Sequence, residues 1–300
     1  REPADHRARS AELTERVAAW VQQARVSHGQ AILDLGAGSG SNLRYLAPRL
    51  GGHQHWICVD QDPSLLDALM EQTSAWAGAL GLRLTPAGEA LRIQGAGLRL
   101  LVETRRQDLA QGASALPLGP GILVTASALL DLVSGPWLQD LVEACSRQGS
   151  SLLAALNYDG RVDLAPQEPL DGLVIGLVNG HQGRDKGLGP ALGPGAGRSL
   201  RRLGLSLGFA VQMEASGWEL GPEDGRLQAA LVDAWALAAR EQVADALGGD
   251  PADLGRRLRA IDRWRDLRLD HVAAGRSRLR VGHQDLLLLP CGDGHRVGAA

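Results

Sequence analysis

Aromatic residues and lysine are scarce in this sequence. It contains 7 Trp, 2 Tyr and 1 Phe among 300 residues, so the 44% hydrophobic content must come mainly from Leu, Val, Ile and Ala. Proteins that bind single-stranded nucleic acids commonly stack bases on aromatic side chains, and the composition disfavours that class. The 31 basic and 34 acidic residues nearly cancel, and only Lys186 among the basic residues is a lysine. Bulk charge therefore predicts no strongly charged partner.

Cysteine is also rare. Cys58, Cys145 and Cys291 are odd in number and far apart, which predicts neither a disulfide framework nor a zinc site. His53, His55 and His283 have too few partners at ligand spacing for a metal site, so we expect no metal. These absences favour a reducing compartment, the cytoplasm.

Long apolar runs are missing. No run approaches the roughly 20 residues that span a bilayer, and the charged first residues contain no signal-peptide core. We therefore expect no membrane attachment. Because the sequence begins with Arg1 rather than Met, we also expect a few residues to precede it.

Apolar segments alternate with amphipathic segments along most of the chain. This alternation is typical of βαβ units in a doubly wound, mostly parallel α/β sheet with helices on both faces. We predict seven strands, at 31–35, 55–60, 98–103, 121–125, 151–157, 209–214 and 279–289. The predicted helices are 10–26, 41–50, 63–80, 136–146, 170–179 and 198–207.

The remaining segments suggest how the chain is divided. Residues 1–29 are expected to be an N-terminal helical segment, and 30–300 a single domain with a helical insertion at about 221–275. A polar stretch at 82–97 resembles a hairpin. The Gly- and Pro-rich residues 187–197 predict a loop near the mouth of the site.

A glycine cluster follows the first predicted strand. Gly36, Gly38 and Gly40 occupy alternate positions, which permits a sharp turn into a helix and a close approach of the backbone to a ligand. The dinucleotide fingerprint G-x-G-x-x-G would require glycine at position 41, where Ser41 stands. This spacing weakens the case for a nicotinamide oxidoreductase.

The segment Asp34-Leu-Gly-Ala-Gly-Ser-Gly40, followed about 20 residues later by Val59-Asp60-Gln61-Asp62, resembles the class I S-adenosylmethionine-dependent methyltransferases. The resemblance covers roughly residues 30–157 and the last two strands. It implies a Rossmann-like methyltransferase fold, S-adenosylmethionine as the cofactor, and methyl transfer as the activity.

The resemblance also implies cofactor-binding residues. Asp34 and the three glycines would wrap the methionine and ribose portion. Asp60 would bind the ribose hydroxyls, with Asp62 as a close competitor and Gln61 between them. Asp108 and Leu109 would meet the adenine, and Thr125 begins the segment up to Asp131 where cofactor and acceptor meet. Asp131 is thus a candidate catalytic residue, although a helix-capping role is the alternative.

The acceptor is harder to identify. The D/N-P-P-F/Y sequence of exocyclic-amine DNA methyltransferases is absent, since residues 127–130 read Ser-Ala-Leu-Leu. No cysteine follows the fourth or fifth strand, which disfavours covalent catalysis on a pyrimidine. We therefore expect direct in-line displacement to a small molecule, with positioning as the main source of rate.

Several polar residues are candidates for the acceptor side. His181 is a candidate general base, and Lys186 a candidate catalytic residue beside the glycine-rich loop. Asp185 would orient His181 or bind a substrate cation. Tyr158 ends the fifth strand, where ligands bind in such sheets. His6, Arg7 or Arg9 could meet the cofactor carboxylate, but a frayed terminus is the favoured expectation.

Other functions remain open alternatives. Nine arginines between Arg256 and Arg280 suggest nucleic-acid binding, but Asp262, Asp266 and Asp270 alternate with them, which favours a salt-bridged, solvated helix. A nucleic-acid or protein methyltransferase is thus an alternative to a small-molecule enzyme. A non-catalytic S-adenosylmethionine-binding scaffold or regulator is another.

Overall fold

A computed structural model describes residues 1–23, 29–246 and 251–291 of the chain. Its strands form one ten-stranded sheet, in the order β3-β4-β5-β2-β1-β6-β7-β10-β8, with β9 paired to β10. The strands are β1 (Gln30–Leu35), β2 (Gly52–Asp60), β3 (Arg83–Ala87), β4 (Ala90–Gly95), β5 (Leu98–Arg106), β6 (Leu123–Ser127), β7 (Ser151–Ala165), β8 (Phe209–Ala215), β9 (Trp218–Leu220) and β10 (Arg278–Pro290).

Helices connect most of these strands and cover both faces of the sheet. They are α1 (Glu2–Ala8), α2 (Ala11–Gln23), α3 (Ser41–Leu50), α4 (Pro63–Ala79), α5 (Gly135–Gln148), α6 (Asp171–Gln182), α7 (Ala196–Ser206), α8 (Gly225–Ala246) and α9 (Pro251–Ala273). Among the described residues, no helix is both long and apolar enough to cross a bilayer.

The centre of the sheet is parallel, and strand order reverses next to β1. From β1 the chain proceeds outward through β2 and β5 on one side, and through β6 and β7 on the other. Ligands bind outside the carboxyl ends of the strands at such a switch point. The topology therefore places the expected site beyond the ends of β1, β2 and β6.

The predicted doubly wound α/β fold class is confirmed, but the prediction of seven strands is wrong. The hairpin-like stretch 82–97 contributes β3 and β4 to the sheet, and β9 is short. Strand β7 continues to Ala165, eight residues beyond its predicted end. The extension is stabilised by antiparallel pairing with the beginning of β10, where Ala165 is opposite Arg278. Local patterning does not reveal such a distant pairing.

Three apolar clusters form the core. One lies between the sheet and α2, α3 and α4, and another between the sheet and α5 and α7. The third joins α6, α8 and α9 to the far ends of β7, β9 and β10. Within it, Asp171 accepts hydrogen bonds from Trp264 Nε1 (2.8 Å) and from the fully buried Arg268 guanidinium.

The predicted helical insertion consists of α8 and α9, and several of its arginines form ion pairs. Arg265 contacts Asp266, as the alternation of charges suggests, but other partners differ from the expected ones. Arg256 and Arg257 pair with Asp253, and Arg265 reaches Asp233 on α8. The ion pairs therefore join the two helices rather than only following one helix face.

The N-terminal residues are helical, where the sequence favoured a frayed terminus. Pro3 lies in the first turn of α1, a position that proline favours. Glu2 accepts a hydrogen bond of 2.9 Å from Arg44 Nε, and His6 Nε2 lies 3.1 Å from the Ser41 carbonyl oxygen. Helix α1 thus covers the beginning of α3.

Candidate functional site

A cavity of about 670 Å³ lies at the switch point. Its walls are the segments that follow β1, β2, β5 and β6, together with α1 and the loop at 186–188. This volume is within the usual range for small-molecule and cofactor sites. Predicted site residues in its lining are Gly36, Gly38, Asp60, Gln61, Asp108, Leu109 and Lys186.

Glycine is needed at two positions of the turn, Gly38 and Gly40, for different reasons. Gly38 and Gly40 both have positive φ angles, 52° and 85°. A Cβ atom on Gly40 would lie 2.8 Å from Leu69 Cγ, so packing excludes a side chain there. A Cβ on Gly38 would meet nothing within 4 Å. Because Gly38 lines the cavity, its missing side chain leaves space for a ligand.

Asp60 joins the glycine turn to the end of β2. Its Oδ2 accepts a hydrogen bond of 2.9 Å from the Gly38 amide, and its Oδ1 accepts one of 3.0 Å from the Asp62 amide. Each oxygen keeps acceptor capacity for a ligand.

Asp62, the competing aspartate, caps α4. Its carboxylate accepts hydrogen bonds from the Ser64 amide (2.8 Å) and hydroxyl (2.7 Å), which hold the pKa of Asp62 below its usual value. The structure therefore brings Asp60, rather than Asp62, to the cavity.

Asp108 and Leu109 lie on another wall of the cavity. Asp108 caps a short 3-10 turn by accepting a hydrogen bond of 2.9 Å from the Ala110 amide. The Leu109 side chain is buried, and its carbonyl accepts a hydrogen bond of 2.7 Å from Trp137 Nε1. This contact fixes the turn against α5.

Asp34 and Thr125 are buried behind the glycine turn and do not line the cavity. Asn42 Nδ2 donates to Asp34 Oδ1 (2.7 Å) and to Thr125 Oγ1 (3.1 Å). Burial raises the pKa of Asp34 to about 7, against the opposing effects of Asn42 and Arg9. Both residues therefore act on the turn indirectly, by fixing the side chain of Asn42 at the start of α3.

Arg9, which sequence reasoning did not assign to this network, connects Asn42 to Asp285 on β10. Its buried guanidinium donates to Asn42 Oδ1 (2.8 Å) and lies 3.3 Å from Asp285 Oδ2. Asp285 also accepts hydrogen bonds from the amides of Ser10 and Leu156, at 3.0 and 2.7 Å.

The predicted constellation of His181, Asp185 and Lys186 does not form one cluster. His181 Nε2 lies 2.8 Å from Glu241 Oε2 on α8, and His181 does not line the cavity. Asp185 accepts hydrogen bonds from the amides of Gly187 and Gly189, at 2.7 and 3.0 Å, which closes its own turn. Lys186 alone reaches the cavity wall, as an exposed side chain.

Asp131 and Tyr158 are buried, and neither is part of the cavity lining. Burial raises the pKa of Asp131 to about 6, whereas Arg1, which lines the cavity, lowers it. Tyr158 donates a hydrogen bond of 2.7 Å to Asn179 Oδ1. Burial, Asp159 and Asp131 all raise the pKa of Tyr158.

Sequence reasoning missed the contribution of α1 to the site. Arg1, Glu2 and Asp5 line the cavity, and Trp218 Nε1 donates a hydrogen bond of 3.1 Å to Asp5 Oδ1. Pro3 was the available signal for a helix here. No local signal relates Asp5 to Trp218, which lies far along the chain.

No group of three or more His, Cys, Asp and Glu side chains within residues 1–23, 29–246 and 251–291 is arranged to hold a metal ion.

Comparisons with known proteins give fold-level likenesses only. No family model and no curated protein matches the sequence. A solved S-adenosylmethionine-dependent methyltransferase from Geobacter sulfurreducens, in complex with S-adenosylhomocysteine, is 16% identical, with 95% of this chain and 92% of that chain covered and a TM-score of 0.41.

Two other solved structures are similar at comparably low sequence identity. A cyclopropane synthase from Mycobacterium tuberculosis is 10% identical over 90% of this chain and 83% of its own, with a TM-score of 0.41. Magnesium protoporphyrin IX methyltransferase from Synechocystis PCC 6803, with bound cofactor, is 13% identical over 68% and 72%, with a TM-score of 0.35. At these values, the fold assignment rests on the strand order of the protein itself.

Proposed function

We propose that the protein transfers a methyl group from S-adenosylmethionine to a small-molecule acceptor. The observation that carries this proposal is the hydrogen bond between the Asp60 carboxylate and the Gly38 amide at the wall of the cavity. It combines the two motifs on which the sequence resemblance rests, at the switch point where ligands bind in such sheets.

The residues present fit this cofactor. The open space at Gly38 lets a ligand approach the backbone of the turn, and Asp60 keeps acceptor capacity for the two ribose hydroxyls. Gln61, Asp108 and Leu109 would lie beside the adenine. Asp34 and Thr125 would act through Asn42, by holding the turn in place.

S-adenosylmethionine, when bound, supplies a methyl group on a positively charged sulfur. The chain would position the acceptor against it and exclude water. Helix α1 and the loop at 186–188 bound the cavity, which favours a small acceptor over a protein or nucleic-acid chain. The ion pairs that Arg256, Arg257 and Arg265 form with acidic residues add to that preference.

Two broader expectations stay part of the proposal. The free, buried Cys58 and Cys145 are compatible with a reducing compartment such as the cytoplasm. The division into an N-terminal segment at 1–29 and one domain from residue 30 is likewise retained.

Calorimetry with S-adenosylhomocysteine and with NADH tests the cofactor. We expect S-adenosylhomocysteine to bind with a Kd on the order of micromolar, about −8 kcal/mol, and NADH not to bind. Tight binding of NADH, or no binding of S-adenosylhomocysteine, would overturn the proposal. Formation of S-adenosylhomocysteine from S-adenosylmethionine in the presence of a small-molecule extract would exclude a purely scaffolding role.

A further inference from the structure

Helix α1 borders a second cavity besides the one at the switch point, here called the cofactor cavity. The second cavity also has a volume of about 670 Å³, which is within the usual range for small-molecule sites. The two cavities use different residues of α1, since Asp5 lines the cofactor cavity whereas Ala4 and Arg7 line the second one. Strands β7, β9 and β10 supply most of the remaining wall. The methyl-transfer proposal assigns no role to this cavity.

Small residues form part of the wall of the second cavity. They are Ala4 on α1 and, on the side of the sheet, Ala215, Gly217 and Gly282. A Cβ atom on Gly282 would collide with the carboxylate of Asp159, so packing keeps this position free of a side chain. Glycine within a strand often marks a place where a ligand or another backbone approaches closely. The body of a small ligand therefore has room along this part of the wall.

Three arginines from three different elements line the same cavity. They are Arg7 on α1, Arg161 on β7 and Arg280 on β10. Two carboxylates, those of Asp163 and Glu219, line it as well, so the arginines exceed the acidic residues by one. A guanidinium group presents several N–H donors in one plane and binds phosphate and carboxylate oxygens well. The lining therefore favours a ligand with an anionic group.

Arg161 is fixed in position by an irregularity in the sheet. The register of β7 and β10 shifts here, so that residues 159–161 of β7 oppose Gly282 alone. Bulges of this kind redirect side chains and are common next to ligand sites. The Asp159 carboxylate accepts hydrogen bonds from the Arg161 amide (3.0 Å), from its Nε (2.9 Å) and from its Nη2. Nη1 of Arg161 has no partner among the described residues, so it is available to a ligand.

The other two arginines are also held by carboxylates. Arg7 Nη2 donates to both oxygens of Asp224, at 2.9 and 2.8 Å, and Arg280 Nη2 donates to Glu219 Oε1 at 2.7 Å. In both arginines, Nε and Nη1 make no hydrogen bond to any residue that the structure describes. The free donors are thus already oriented, which lowers the entropy cost of binding an anion.

His283 adds an uncharged polar group to the wall of the second cavity. Only 7% of its surface is exposed, and its Nδ1 has no hydrogen-bond partner of accepted geometry among the described residues. Burial lowers the pKa of His283 to about 4, against the opposing effect of the Val281 carbonyl, so the ring is neutral at pH 7. Buried polar atoms are normally paired with protein, water or a ligand. His283 can therefore offer a hydrogen bond without adding a charge.

We propose that the second cavity binds a small molecule that carries a phosphate group. The phosphate would accept hydrogen bonds from Arg7, Arg161 and Arg280, and the rest of the ligand would lie along the small residues. Donors that come from three separate elements suit the several oxygens of a tetrahedral phosphate better than a planar carboxylate, which two donors of one arginine already satisfy. Asp163 and Glu219 in the same lining disfavour a long polyanion such as a nucleic acid.

Calorimetry with matched small molecules tests the class of ligand. The probes are glycerol 3-phosphate, glycerate and glycerol, which share a carbon skeleton and differ in the charged group. Glycerol 3-phosphate should bind with a Kd of about 1 mM or lower, at least about fivefold more tightly than glycerate, and glycerol should not bind. No binding of glycerol 3-phosphate, or equal affinity for glycerate or glycerol, would overturn the inference.

Substitutions test the residues. Arg161→Met and Arg280→Met should each weaken the binding of glycerol 3-phosphate at least about fivefold, because a hydrogen bond to a charged group is lost. Arg257→Met is the matched control, since Arg257 is also exposed and pairs with Asp253 but does not line the second cavity. Its affinity should equal that of the parent. Full affinity in Arg280→Met, or an equal loss in the control, would contradict the assignment.

Two further observations complete the test. Should Arg161→Met fail to fold, Arg280→Met decides, because the side chains of Arg280 and its partner Glu219 are both exposed. Saturating S-adenosylhomocysteine should leave the binding of glycerol 3-phosphate unchanged. Competition between the two ligands would place the phosphate in the cofactor cavity and refute the inference. Failure of S-adenosylhomocysteine to bind would refute only the methyl-transfer proposal, because the arginine variants locate the phosphate site without it.

Discussion

The two sides of the site are built in different ways. On the glycine-turn side, Asp60, Asp62 and Asp108 all accept hydrogen bonds from backbone amides, in most cases from within two residues. On the opposite side, α1 contributes Asp5, whose carboxylate is bonded to Trp218, 213 positions away. The first side therefore depends on local backbone geometry, whereas the second depends on contacts between distant parts of the chain.

The largest effect is expected at Arg9, which joins Asn42, behind the glycine turn, to Asp285 on β10. Replacing Arg9 by Met would leave Asp285 buried without its cation, which should lower the free energy of unfolding by about 3–5 kcal/mol. Urea unfolding measures this change. Arg7→Met is the control: Arg7 is half-exposed and pairs with Asp224, so its loss should cost less than about 1 kcal/mol. Equal losses in the two variants would show that the buried pair of Arg9 and Asp285 adds no more stability than an exposed ion pair.

The next largest effect concerns cofactor binding on the glycine-turn side. Asp60→Asn should weaken binding of S-adenosylhomocysteine by about 2–3 kcal/mol, because hydrogen bonds to a charged acceptor are lost. Asp62→Asn should leave the affinity unchanged, since asparagine caps a helix as well as aspartate does. Calorimetry on both variants checks this, and a larger effect at Asp62 would reverse the assignment.

Substitution by alanine should have different effects at Gly40, where a side chain would clash with the protein, and at Gly38, where it would enter the cavity. Gly40→Ala should lower the free energy of unfolding by about 2 kcal/mol, because its Cβ would crowd Leu69. Gly38→Ala meets no protein atom, so its stability cost should be limited to backbone strain of about 1 kcal/mol, with weaker binding of S-adenosylhomocysteine. Thermal unfolding and calorimetry together separate the two. A Gly38→Ala protein with full affinity would place the ligand elsewhere.

Asp34 gives a pH-dependent test. Burial raises its pKa from the usual 3.8 of an aspartate to about 7 in the folded protein, so the folded state binds the extra proton. Stability from this group is therefore present at low pH and is lost as the pH rises from about 4 to about 7. Asp34→Asn should remove that loss and gain on the order of 1–2 kcal/mol relative to the parent between pH 5 and 7.5.

Urea unfolding of both proteins at the two pH values measures this difference. Taking the difference removes the contributions of other titrating groups such as His283. A parallel pH dependence in the two proteins would contradict the effect of burial on Asp34.

The smallest effects are expected at the exposed polar loop. His181 pairs with Glu241 away from the cavity, so His181→Ala should change kcat/KM less than about twofold, or under about 0.5 kcal/mol. Lys186→Arg should also be small, because the side chain is exposed at the cavity wall. A tenfold loss in His181→Ala would restore it as a candidate base.

The glycine turn and Asp60 could be predicted from the sequence because their geometry is local. The strand, the turn and the helix that follows are adjacent in the chain, and Asp60 closes the next strand. The residue types at these positions therefore determine the hydrogen bonds almost directly.

The network around Arg9 could not be predicted in this way. Arg9 and Asp285 are separated by 276 positions, and they meet only after the sheet has formed. The extension of β7 to Ala165 has the same origin, since its partner residues belong to the last strand. Residues of that extension such as Asp159, Gly160 and Asp163 are disfavoured in strands and resemble a loop until the pairing is known.

The pairing of β9 with β10 has a consequence for how this fold can change. Leu220 and Leu279 are partners across one rung of the ladder, although α8 and α9 stand between them in the chain. The helical hairpin therefore leaves and rejoins the sheet at a single point. Exchanging or trimming this hairpin would require no rethreading of any strand, and it would leave the cavity in place, because neither α8 nor α9 contributes to its lining.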